Sequence, residues 1–145
     1  MPAHTAVSPQ SLIEAARAAV IAYNEKNWDK VRASVTPDFD YDEVPTRRRV
    51  HGAEPFVQLC QGWAQAFPDS KATFHGAIAS GETVVQEVTW KGTHQGALQT
   101  PKRSVPATGK RIEVRACLVM EMAGDKVKSE RHYFDLATLL EQVGA

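Results

Sequence analysis

Trp90-Lys91-Gly92-Thr93-His94-Gln95-Gly96 opens the stretch that decides the fold, and Tyr133-Phe134-Asp135-Leu136-Ala137-Thr138-Leu139-Leu140-Glu141-Gln142-Val143-Gly144 closes it. Between them, residues 95–109 hold two glycines, two prolines and no periodicity, which predicts a loop. Two apolar-rich runs follow, Arg111–Met122 and Lys126–Phe134, joined by Ala123-Gly124-Asp125. Their period of two predicts strands linked by a tight turn. Upstream, Thr73–Ala79 and Thr83–His94 read the same way around Ser80-Gly81-Glu82. Four strands in hairpin succession predict an antiparallel sheet. His94 and Asp135 fall at the ends of two of these strands. An imidazole and a carboxylate near one apolar interior are the parts of proton-transfer chemistry.

Working toward the N-terminus, the period changes from two to 3.6. Residues 1–7 read as a tail. Ser8 before Pro9, and Ser11 three before Glu14, are helix-start signals. Leu12, Ala15, Ala16, Ala19, Val20 and Tyr23 then recur at helical spacing, to about Asn27. Asn27 caps a short second helix carrying Trp28, Val31 and Val35, which Pro37 stops. Phe39 and Tyr41 make a short strand. Asp38, Asp40, Asp42 and Glu43 surround it and read as a solvent-facing acidic edge, since no glycine turn follows as a calcium loop requires. Pro45–Arg49 reads as a loop, with Arg47-Arg48-Arg49 solvated. A third helix after His51-Gly52 carries Phe56, Leu59, Cys60, Trp63 and Phe67, and Pro68-Asp69 ends it. A short helix over Leu136–Gln142 closes the chain. Helices covering one face of a curved sheet enclose a concave apolar chamber, where small ligands sit.

The chain of 145 residues is most simply one domain, 8–145 after the tail. Its 17 basic and 17 acidic side chains balance, which argues against a nucleic-acid partner. Cys60 and Cys117 sit in apolar patterns and read as buried free thiols. No leader-like or membrane-length apolar segment stands out, so a cytoplasmic protein is expected. No histidines have metal-ligand spacing, and no phosphate-binding glycine loop exists, so no metal or cofactor is expected.

Helix, helix, strand and helix followed by a curved antiparallel sheet resemble the NTF2-like superfamily. Its fold is α+β, cone-shaped and cystatin-like, with the sheet packed on N-terminal helices around a central cavity. The segments Trp90–Gly96, Thr108-Gly109-Lys110 and Tyr133–Gly144 resemble the SnoaL-like polyketide cyclase group within it. That resemblance implies an aldol-type ring closure in which an aspartate near the end of the last strand serves as acid and base, and the matching residue is Asp135. It also places His94 at the chamber. The group's cyclases carry a histidine in the strand before that of the aspartate, whereas Glu113–Glu121 here has none.

The residues themselves leave two readings of Asp135. Alternation puts Arg131, Tyr133 and Asp135 on one face, so Arg131 and Tyr133 could hold the carboxylate in the chamber. Asp135 also stands where an aspartate caps the following helix. His94 shares a face with Trp90 and Gly92, and could donate to an enolate oxygen. His132 alternates to the opposite face from Asp135. Trp63, Trp90, Tyr133, Arg131 and Tyr23 are the candidate substrate contacts. The expected function is a cofactor-independent acid/base enzyme on a small apolar carbonyl compound, by cyclisation or isomerisation. The alternatives are a non-catalytic binding protein for a small apolar metabolite, or a water-activating hydrolase or dehydratase. The outer sheet face mixes apolar and charged residues, which predicts a homodimer burying the side of Cys117 and His132.

Overall fold

The computed structural model describes residues 7–145, so nearly all of the expected N-terminal tail lies outside the described residues. Helix α1, Pro9–Asn24, starts where Ser8 Oγ accepts the Ser11 amide at 3.1 Å, with Pro9 in the first turn. It ends earlier than periodicity predicts. Asn27 then caps α2, Trp28–Ala33, by accepting from the Lys30 amide at 3.1 Å. Pro37 does not stop that helix. It lies inside the next strand, β1 (Val35–Glu43), where the pairing is irregular and tolerates a missing donor. A single 3-10 turn, Val44–Thr46, leads into β2, Arg48–His51, so the expected loop here is partly a strand. Helix α3, Ala53–Ala66, precedes two long strands, β3 (Lys71–Ser80) and β4 (Thr83–Thr93). The segment read as a loop contains a two-residue ladder, β5 (Leu98–Gln99) with β6 (Ser104–Val105). Strands β7 (Arg111–Ala123) and β8 (Lys126–Phe134) and helix α4 (Leu136–Gln142) complete the chain.

Six strands form one sheet in the order β2-β1-β8-β7-β4-β3. The expected antiparallel sheet is corrected to a mixed one, because β1 pairs parallel with β8. No turn joins those two strands, so no local signal announces the pairing. The register sets Tyr41 beside Glu130 and Glu43 beside His132. Phe39, Tyr41 and Glu43 point inward and are buried, while Asp40 and Asp42 point outward to His51 at 2.6 Å and Arg49 at 3.3 Å. The acidic edge therefore excludes Glu43.

A bulge decides which face of β8 is interior. Met122 pairs with Val127 and Glu121 with Ser129, which leaves Lys128 as an extra residue. Val127 is buried on one side of the bulge, and Glu130 on the other, so the inward set changes parity. Cys117 consequently faces outward beside Tyr133, while His132 faces inward beside Leu118. Strict alternation places Cys117 and His132 together on one outer face, and that assignment is corrected.

The inner sheet face packs against α1 through Leu12, Ala16 and Val20, which meet Val84, Val88, Leu118 and Met120. Each leucine, valine or methionine among them contributes about 1.5–3 kcal/mol by leaving water. A second cluster joins Phe67, Leu98, Ile112, Leu139 and Val143, and fixes α4 and the 95–109 segment onto the sheet. The two glycines of the Trp90–Gly96 segment serve close approach. A Cβ on Gly92 would lie 3.2 Å from Phe67 Cβ, and one on Gly96 would lie 2.1 Å from the Gln65 carbonyl oxygen. The space beside Gly92 is filled by the chain leaving α3. Among the described residues no helix is long and apolar enough to cross a membrane.

Candidate active site

Between the inner sheet face and helices α1 and α3 lies a cavity of about 110 Å³. Its walls are mostly apolar, from Val20, Val35, Phe56, Leu118 and Met120 among others. Apolar cavities of about 150 Å³ hold one benzene ring, so this one suits a group of similar scale. The polar side chains on its walls are Tyr23, Ser34, Ser70, Tyr41, Cys60, Glu130 and His132, together with the indoles of Trp63 and Trp90, and the Ser34 hydroxyl donates to the Val31 carbonyl at 2.7 Å.

One hydrogen-bonded chain runs along the wall. Trp90 Nε1 donates to His132 Nε2 at 3.2 Å. An indole N–H can only donate, so Nε2 is the unprotonated nitrogen and Nδ1 carries the hydrogen. Nδ1 then donates to Tyr41 Oη at 2.8 Å, and Tyr41 Oη donates to Glu43 Oε2 at 3.3 Å. Glu43 is fully buried and well matched. Trp63 Nε1 donates to Oε2 at 2.8 Å, Thr46 Oγ1 to Oε1 at 2.7 Å, and Arg48 Nη2 to Oε1 at 2.8 Å. The triplet read as solvated thus supplies the buried carboxylate's counter-ion. Burial holds the His132 imidazole down at about 4, partly opposed by the charge of Glu43. A cationic imidazole would also confront the Trp90 donor. His132 is neutral, with a fixed tautomer.

Glu130 lies two residues before His132 on the same face and is in the opposite situation. It is buried, and among the described residues no partner offsets the loss of water, so burial alone pushes its carboxyl up to about 8. Near neutral pH it is mostly protonated yet close to its titration point. Burial also pushes the Cys60 thiol and the Tyr41 phenol well up, so both stay protonated. Among the described residues no group of three or more histidine, cysteine, aspartate or glutamate side chains is arranged to hold a metal.

The family model for SnoaL-like polyketide cyclases matches residues 13–143. The chain belongs to this family. Solved structures agree on the fold. A SnoaL-like protein from Jannaschia sp. CCS1 superposes with a TM-score of 0.84 at 17% identity, covering 100% of this chain and 98% of that one. TsrD from Streptomyces laurentii gives 0.81 at 20% identity over 96% and 98%. An M. tuberculosis LEH-like epoxide hydrolase gives 0.72 at 20% identity over 93% and 90%. No curated protein matches the sequence. The NTF2-like α+β fold expected from the sequence is the fold observed.

In this SnoaL-like chain the expected site residues divide. Trp63, Trp90 and Tyr23 line the cavity. Asp135 does not. It is exposed, and it caps α4: Oδ1 accepts from the Thr138 amide at 2.9 Å and Oδ2 from Thr138 Oγ1 at 2.6 Å. Those bonds hold its carboxyl below the ordinary range, the wrong direction for a base near neutral pH. The chamber position expected for Asp135 is corrected to a helix cap. Arg131 and Tyr133 are corrected with it. The bulge turns both outward, Arg131 toward Glu121 at 3.8 Å and Tyr133 into solvent. His94 is buried, but its ring stacks on Phe67 at 5.2 Å with Nδ1 3.0 Å from Thr108 Oγ1, outside the cavity lining. It ties the 95–109 segment to the end of α3. Sequence reasoning missed Glu130, Tyr41, Glu43 and Arg48, and put His132 on the wrong face. The one available signal was Glu130 and His132 alternating with Phe134, an apolar neighbour of the right parity.

Proposed function

We propose that the protein is a cofactor-independent acid/base enzyme acting on a small, largely apolar carbonyl compound, with Glu130 as the proton-transfer group. The observation that carries this reading is a buried, unpartnered carboxyl on the wall of an apolar cavity. A base whose titration point lies near the working pH is strong enough to take a proton from carbon beside a carbonyl, and still releases it readily. As the carboxylate, Glu130 removes the α-proton. As the acid, it returns that proton to the product. The neutral His132, held by Trp90 and by the Tyr41–Glu43–Arg48 chain, is a positioning residue that keeps a second charge away from Glu130. Family membership supports cyclisation or isomerisation as the reaction type.

The test is exchange of α-hydrogens in deuterated water, followed by NMR over a panel of cyclic and aryl ketones. Wild type exchanges at least one ketone that binds, and Glu130→Gln abolishes that exchange. Exchange by Glu130→Gln at the wild-type rate overturns the assignment. Binding without exchange across the panel makes the cavity a binding site only.

Self-association through the outer sheet face is part of the same proposal. That face presents Val85, Val119 and the exposed Tyr133 among Glu87, Arg115, Glu121 and Arg131. Apolar groups interleaved with both signs of charge suit a two-fold contact. Light scattering is expected to give twice the 15.9 kDa chain mass, and Arg115→Glu to lower it. A single chain mass for wild type overturns the dimer.

A further inference from the structure

The cavity has a second polar feature that proton transfer does not use. Tyr23, on α1, and Ser70, in the turn before β3, are both buried, and their hydroxyl oxygens lie 2.7 Å apart. Among the described residues neither hydroxyl makes another hydrogen bond. Two hydroxyls own two O–H hydrogens, and the bond between them uses one. Whichever group donates, one O–H is left over. Both side chains line the cavity, so the unspent hydrogen has the cavity to turn to. Buried donors are nearly always satisfied, and a lone O–H at an apolar wall selects an oxygen acceptor.

The pair is held in place from behind. Lys26 Nζ donates to the Ser70 carbonyl and lies 4.4 Å from the centre of the Tyr23 ring. Asn24 binds both backbone groups of Ala72, at 2.8 and 3.0 Å, which ties the end of α1 to β3. Trp90 packs edge-on against Tyr23, and Trp28 does so from another side. Such support makes a fixed recognition point rather than a mobile one.

Among the described residues no hydrogen bond joins this pair to the chain that runs from Trp90 through His132 and Tyr41 to Glu43. The Trp90 ring lies 5.3 Å from that of Tyr23 and 6.0 Å from that of His132, so these two rings are no more than about 11 Å apart. We propose that the Tyr23–Ser70 hydroxyl pair is a second anchor for the substrate, donating one hydrogen bond to an oxygen other than that of the reacting carbonyl. The substrate class is then a carbonyl compound with a second oxygen acceptor across a single ring. This deepens the proposed function and rests on the cavity being a carbonyl site.

The experiment is calorimetric binding of two neutral aryl ketones of similar shape. 1,4-Diacetylbenzene carries a second carbonyl, and 4-isopropylacetophenone replaces it with a saturated branch. Wild type is expected to prefer the diketone by roughly five- to tenfold, the net worth of one hydrogen bond. The double variant Tyr23→Phe/Ser70→Ala is expected to bind both alike. Each single variant keeps one O–H and therefore part of the preference. Removing both hydroxyls strands no partner, so the double variant should keep the wild-type melting temperature more nearly than Ser70→Ala does. Equal affinities in wild type, or a preference surviving in the double variant, overturn the anchor. Because the readout is binding, a failed Glu130 exchange assay leaves the anchor standing. Failure of both ketones to bind wild type overturns the anchor and the carbonyl-site reading together.

Discussion

Two carboxyls five residues apart, Glu130 in the middle of β8 and Asp135 just past its end, are driven in opposite directions. Glu130 has lost water and gained no partner, and its carboxyl is pushed up to about 8. Asp135 keeps its water and accepts two hydrogen bonds from Thr138, and its carboxyl is held below the usual range. Residue type is nearly the same, and so is the strand that carries them. Surroundings alone make one a candidate base and the other a cap.

The largest expected effect breaks this comparison at the level of chemistry. Glu130→Gln should lower α-hydrogen exchange by about 10²-fold or more, the usual share of a positioned base, while Asp135→Asn should change it less than about threefold. Equal losses from the two variants would erase the distinction. A pH profile sharpens it: exchange by wild type should rise about tenfold per pH unit on the acid side and level off above about 8, where Glu130 becomes a carboxylate.

The next effect is on stability. A carboxyl whose folded value is raised contributes stability fully below its unfolded value, near 4.5, and loses it as pH rises through about 8. Glu130→Gln should therefore remove as much as about 5 kcal/mol of alkaline destabilisation between those limits. His132 works with the opposite sign of slope. Its folded value of about 4 lies below 6.5, so its contribution is present above 6.5 and lost as pH falls to 4. The two slopes cancel between pH 4.5 and 6.5. Urea titrations should show a plateau there in wild type from these two groups, and a continuing rise with pH in Glu130→Gln.

Smaller effects test the supports on each side. Trp90→Phe removes the donor that faces His132 Nε2. The imidazole should then titrate about one unit closer to its ordinary value, read by NMR. Asp135→Ala should lower the melting temperature by a few degrees without moving the exchange rate, since only the start of α4 loses a partner. A melting temperature unchanged by Asp135→Ala would mean that the cap contributes nothing to the fold.

Much of the chain is legible in its residues alone. The caps at Ser8 and Asn27, the bounds of α4 and the long strands all follow from spacing. Even the cap reading of Asp135 stands beside the catalytic one. The site is less legible, and the reasons are specific. The extra residue at Lys128 reverses parity along β8, so strict alternation sends His132 outward and Arg131 inward. Glu43 reads as one more member of an acidic run until the parallel pairing with β8 brings it to Tyr41 and His132, and until Arg48 folds back onto it.

Sequence by itself determined what depends on neighbours three or four residues away, or on a period of two: which segments are helices or strands, where helices start, and which family the chain joins. Only the tertiary structure decided which face of β8 is interior, that β1 lies parallel beside it, and that Glu130 rather than Asp135 stands unpartnered at the cavity. The physical reason is that a carboxyl's titration is set by the water and partners around it. Those come from β1, β7 and α3, which the chain brings together only by folding.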